Sequence, residues 1–74
     1  MVTIDASVWV AAFDQSDVFH AHSAAFLQVL TTRRTPLYDP RFVLVEVGCA
    51  LARRYQSALI GEQAAAHISN HPLI

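Results

Sequence analysis

Seventy-four residues make at most one domain, and a chain of this length buries only roughly 60% of the surface its unfolded form exposes. Apolar residues make up 54%, the mean hydropathy is +0.35 and the formal net charge is -1, so no whole-molecule field draws the chain to nucleic acid. No apolar stretch approaches the roughly 20 residues of a membrane span, because Asp14, Asp17, Arg33, Arg34, Glu46 and Arg53 interrupt the candidates.

In chain order, Val2-Thr3-Ile4 is a short β-branched run with no helical period, and Asp5-Ala6-Ser7 after it reads as a strand-to-helix junction. Asp5 arrives too early for a secretory leader, which points to a cytoplasmic location. A first helix is expected over Ala6–Phe13, then a polar loop at Asp14-Gln15-Ser16-Asp17, then an amphipathic helix over 18–30 with Phe19, Ala25 or Phe26, Val29 and Leu30 on its apolar face. Pro36-Leu37-Tyr38 reads as a second short strand. Asp39-Pro40 reads as a capping aspartate and first-turn proline, opening a third helix over 41–56 that is apolar nearly all round and should be the most buried. Cys49, the single cysteine, excludes a disulfide framework and is expected as a small buried helix residue. Residues 57–61 read as a connection, 62–70 as an alanine-rich fourth helix with His67 and His71 late, and Pro72-Leu73-Ile74 as entry to a third strand. The order β-α-α-β-α-α-(β) predicts an α/β fold, a short parallel sheet with helices on both faces. Strands so few and short leave strand one with an unpaired edge, and the apolar excess calls for a partner or a second copy.

Two carboxylates stand in apolar settings. Asp5 lies at the carboxyl end of the first strand, where open α/β sheets bind their ligands, and Glu46 lies about one and a half turns into the helix that leaves the second. Asp5 also reads as a helix N-cap worth roughly 1 kcal/mol, and Glu46 as the ion-pair partner of Arg53. If the two carboxylates converge to about 4 Å, their repulsion of about 4 kcal/mol at an effective dielectric of 20 calls for a cation. Carboxylate-only ligation suits Mg²⁺ or Mn²⁺, and such an ion promotes phosphodiester hydrolysis. Ser7 reads either as an auxiliary hydrogen-bond partner of Asp5 or as a first-turn hydroxyl. Asp14, Asp17 and Asp39 read as loop and cap residues, and His20, His22, His67 and His71 as surface histidines. The basic residues are all arginines, forked donors suited to phosphate or an acidic partner, or else solvated helix-end residues.

Val2-Thr3-Ile4-Asp5-Ala6-Ser7-Val8-Trp9 and Leu44-Val45-Glu46-Val47-Gly48-Cys49-Ala50-Leu51-Ala52-Arg53-Arg54 together resemble the PIN-domain ribonucleases, most closely the short toxin members of bacterial type II toxin-antitoxin pairs (VapC-like). The resemblance covers essentially the whole chain. It implies that residues 1–74 form the N-terminal portion of a single three-layer PIN-like domain, with the C-terminal strands and further aspartates absent. It also implies metal-dependent endoribonuclease activity, with Asp5 and Glu46 at the first two acidic positions as ligands of Mg²⁺ or Mn²⁺, an RNA substrate and an antitoxin partner. The rival expectation is a non-catalytic half-domain that acts through homodimerisation or partner binding. A phosphate-accepting regulatory domain built on Asp5 is disfavoured, since those folds place a lysine nearby and this chain has none.

Overall fold

The computed structural model describes every residue from Met1 to Ile74. Four helices account for most of the chain: α1 (Ala6–Phe13), α2 (His20–Thr32), α3 (Arg41–Tyr55) and α4 (Ala58–Ser69). Helix α1 starts where Asp5 turns extended (φ -65, ψ 149) and its carboxylate takes the amide of Ser7, a capping device that satisfies one of the helix's orphan donors. Helix α3 begins after Pro40, whose missing amide costs nothing there, and stops at Gln56, which is left-handed at φ 51. The Ser57 hydroxyl accepts the amide of Ile60 at 3.2 Å and so opens α4 one turn earlier than the expected start at 62.

The expected α/β fold with a parallel sheet is overturned: the molecule is a small all-helical protein. All that exists of the sheet is one isolated parallel bridge between Val2 and Leu37, flanked by the bonds from the Val2 amide to Pro36 O (3.0 Å) and from the Tyr38 amide to Val2 O (2.9 Å). The reason lies at the next ladder position. There the Ile4 amide donates to the Asp39 side chain at 3.0 Å instead of to a neighbouring backbone, so the pairing cannot propagate. Residues 72–74 form no strand either; Leu73 O accepts the Leu37 amide at 2.8 Å, and the Ile74 amide only turns back to His71 O at 3.1 Å.

The core consists of Ile4, Trp9, Val10, Leu37, Val43, Val47, Leu51, Ala64 and Ile68. Val43, Val47 and Leu51 recur every four residues, so α3 buries one stripe and is not buried all round as expected. Phe42 is 63% and Val45 58% exposed, and Cys49, expected inside, is also exposed. On α2 the inward positions are Ser23, Leu27 and Leu30, so the expected apolar face holds at Leu30, whereas Phe26 and Val29, and Phe19 just before the helix, are exposed.

Helices α3 and α4 meet at two glycines. A Cβ on Gly61 would lie 2.4 Å from the carbonyl oxygen of Gly48, and one on Gly48 would lie 3.2 Å from that of Gly61. Gly61 is therefore a helix-interior residue kept small by close backbone approach, which explains why a glycine placed in the expected connection belongs to α4.

Candidate functional site between the first and third helices

At the head of α1, both hydrogen bonds to Asp5 fall on Oδ2: the Ser7 amide donates at 2.9 Å and the Ser7 hydroxyl at 2.6 Å. These bonds, the hydroxyl's first and the amide's second, hold the Asp5 carboxyl below its usual pKa. Oδ1 receives no hydrogen bond from the chain. Asp5 is thus the N-cap that one reading predicted, with one oxygen still open, and Ser7 is a first-turn residue whose hydroxyl bonds Asp5.

Glu46 lies on the exposed side of α3, not in the apolar surround its sequence neighbours suggested. It forms no ion pair, and the anticipated partnership with Arg53 is not made. Glu46, Arg53 and Ser7 nevertheless line one cleft of about 410 Å³ between α1 and α3, together with Val10, Val45 and Arg54. Asp5 stands outside that lining and reaches it through its bond to Ser7. No three side chains among His, Cys, Asp and Glu gather anywhere in the molecule to form a fuller ligand set.

Arg54 is the best-anchored residue of this cleft. Its Nη1 donates to Asp14 at 2.8 Å and to Asp17 at 2.9 Å. Asp14 is buried, 5% exposed, and also takes the Ser16 amide and hydroxyl and the Tyr55 hydroxyl. With the Ser16 hydroxyl and then Arg54 foremost, these donors hold the Asp14 carboxyl far below its ordinary range. Asp17 caps the Phe19 amide at 2.8 Å, and that bond, followed by Arg54, lowers its pKa too. Both aspartates are loop and cap residues as expected. The sequence reading did not foresee that they also clamp the end of α1 and the following loop onto the last turn of α3.

Asp39 departs from expectation. It does not cap α3, whose N-cap is Pro40 with no side-chain bond; it reaches back to the Ile4 amide and to the Trp9 indole, 2.7 Å from Nε1. A nearly buried indole needs an acceptor, and that was the available signal. Of the expected surface histidines, His22 and His67 are exposed while His20 and His71 are half-buried: His20 Nδ1 lies 2.8 Å from Ala11 O, and His67 and His71 set their rings edge-on to Phe13 and Trp9.

No helix is long and apolar enough to cross a membrane. Set against family models, curated proteins and solved structures, the chain matches none of them.

Proposed function

We propose that this protein is a divalent-cation-dependent endoribonuclease of the toxin-like kind, with Asp5 and Glu46 as the residues that hold Mg²⁺ or Mn²⁺ and Ser7 as the residue that orients Asp5. One observation carries the reading: an unpaired Glu46 shares its cleft with Ser7, and the Ser7 hydroxyl grips the Asp5 carboxylate at 2.6 Å while leaving Oδ1 open. Two carboxylates suit a hard cation that keeps most of its waters and completes its sphere with phosphate oxygens.

Held by Asp5 and Glu46, such an ion would supply activation of a water and charge stabilisation for phosphodiester hydrolysis. The chain's own part is positioning. The Ser7 bonds keep Asp5 anionic and fix its rotamer. Arg53, on the same cleft and free of ion pairs, offers a forked donor to a substrate phosphate, and Arg54, held by two aspartates, braces the wall. The partners in this reading are an RNA substrate and a neutralising antitoxin protein, and the location is cytoplasmic.

Calorimetric titration with Mn²⁺ tests the assignment, together with cleavage of a labelled single-stranded RNA with and without EDTA. Wild-type protein should bind Mn²⁺ and cut in an EDTA-sensitive way, and Glu46→Gln and Asp5→Asn should each lose both. Unchanged Mn²⁺ binding by Glu46→Gln would remove Glu46 from the site.

A further inference from the structure

The first two helices enclose a second groove, of about 570 Å³, that opens beside the candidate cleft: Ser7 and Arg54 line both. Its volume falls in the range of small-molecule sites, roughly 300–1,000 Å³. From the head of α2 the wall is built by Phe19, His22, Ser23 and Phe26, which stand at i, i+3, i+4 and i+7 and so share one face. Phe19 is 64% and Phe26 45% exposed, and neither ring packs on another aromatic of the chain. Ser23 is only 9% exposed, yet its hydroxyl makes no hydrogen bond within the chain and is not sealed away, so it is left for something in the groove that it lines. The charged end of the wall is already satisfied: Arg54 donates to Asp17 at 2.9 Å, and the other oxygen of Asp17 takes the Phe19 amide at 2.8 Å, which fixes the backbone of Phe19 at the mouth.

From the two bare rings and the idle hydroxyl we infer that the α1/α2 groove is a nucleobase subsite, in which unpaired bases of an RNA strand stack on Phe19 and Phe26 and meet the Ser23 hydroxyl with a polar edge. Every base has a face that an aromatic side chain can stack on, and that face is free only outside a duplex. With Arg54 and Asp17 bonded to each other, the groove suits the flat, uncharged part of a nucleotide. The phosphates fall to the adjoining cleft, where Arg53 has no ion-pair partner. An apolar protein segment would cover the rings and leave the Ser23 hydroxyl unanswered, whereas a base covers the rings and answers it. The inference rests on the proposed nuclease reading for the kind of strand that reaches the cleft, and adds that the strand is unpaired where it passes α2.

Fluorescence anisotropy of a labelled single-stranded RNA, titrated with the whole chain in EDTA so that no cutting occurs, tests it. The wild type should bind the strand about tenfold or more tighter than the same sequence in a duplex. Phe26→Leu keeps the apolar bulk and loses the ring, so it should weaken binding by about fivefold or more, as should Phe19→Leu, whereas Phe26→Tyr should match the wild type. Ser23→Ala should weaken binding several-fold, and Val29→Ala, exposed on α2 outside the groove, should change nothing. A strand with abasic sites should bind the wild type about as weakly as the intact strand binds Phe26→Leu, a comparison that no folding defect can imitate. Equal affinity of Phe26→Leu and wild type, or of abasic and intact strands, overturns the subsite. So does Phe26-dependent binding of adenosine monophosphate or of an apolar helical peptide by a protein that ignores the strand. The nuclease reading fails separately: ring-dependent affinity in EDTA without Mn²⁺-dependent cutting keeps the subsite and discards the enzyme, and cutting that the rings do not influence does the reverse.

Discussion

The Trp9 indole donates to Asp39 Oδ2 at 2.7 Å while the other oxygen of the same carboxylate takes the Ile4 amide at 3.0 Å, so one side chain ties α1 and the segment before it to the entry of α3. Trp9 is 2% exposed and Ile4 1%, so water cannot readily replace Asp39 at either donor. Asp39→Ala should destabilise the fold by about 3 kcal/mol, the penalty for two stranded donors, and Asp39→Asn by less, because an amide keeps one acceptor oxygen. Urea unfolding followed by Trp9 fluorescence measures both. Equal stability of Asp39→Ala and wild type would show that the carboxylate contributes nothing net.

Gly61→Ala sets two effects against each other. Alanine is the better helix former by about 1 kcal/mol. Its Cβ would nonetheless sit 2.4 Å from the Gly48 carbonyl oxygen and 3.0 Å from Ala52 Cβ, and backbone cannot swing aside as a side chain can. Overpacking costs about 1 to 3 kcal/mol or more, so the net change should be destabilising. Gly48→Ala, with a contact of 3.2 Å, should be milder. The reverse order of denaturant midpoints would mean that the helices separate easily.

Acid should weaken the clamp at the end of α3. The folded-state pKa values of Asp14 and Asp17 lie below the unfolded carboxylate value of about 3.9, so their stabilisation is fully present above that pH and is lost as pH falls through and below it. Tyr55, whose hydroxyl donates to Asp14, has the opposite sign. Its raised pKa adds stability that is present below pH about 10 and disappears as pH rises through the folded value. The melting temperature should therefore be flat through neutrality, falling below pH about 4 and again above about 10. Asp14→Asn should flatten both limbs, and Tyr55→Phe should remove the alkaline one and reduce the acid one slightly, because its hydroxyl is one of several donors to Asp14. An unaltered acid limb in Asp14→Asn would assign the transition to other carboxylates.

Ser7→Ala removes the hydroxyl that most strongly favours the Asp5 anion and leaves the amide bond in place. The Asp5 pKa should rise part of the way to its ordinary value, which carbon-detected titration of the carboxyl resonance reads directly. An unmoved titration would mean that the hydroxyl turns away in solution.

Much of the helical layout was legible in the sequence. The cap at Asp5, the polar loop after Phe13 and the Asp-Pro entry to α3 are local signals, and α1 and the start of α3 fall where they point. The sheet was misread because a β-branched run states a preference and not a partner. Val2 finds Leu37 for one bridge, then Asp39 intercepts the Ile4 amide. Local pattern also misled at Gly61, whose smallness serves a contact with a residue thirteen positions earlier, and on α2, where exposed Phe26 and Val29 fitted a helical period beside the inward Leu30 while the inward Leu27 went unread. Of the candidate site, Asp5 and its Ser7 partner were readable from spacing alone. The unpaired state of Glu46 was not, since it depends on where Arg53 and Arg54 are drawn, and Arg54 is claimed by aspartates some forty positions away.

Leu37 bonds through its amide to Leu73 and sits in the bridge to Val2, so opposite extremities of the polypeptide converge on a single mid-chain residue. Fluorophores attached beside Met1 and Ile74 should then report high energy transfer in the native protein and a steep drop on denaturation, an optical gauge of folding that leaves every helix untouched.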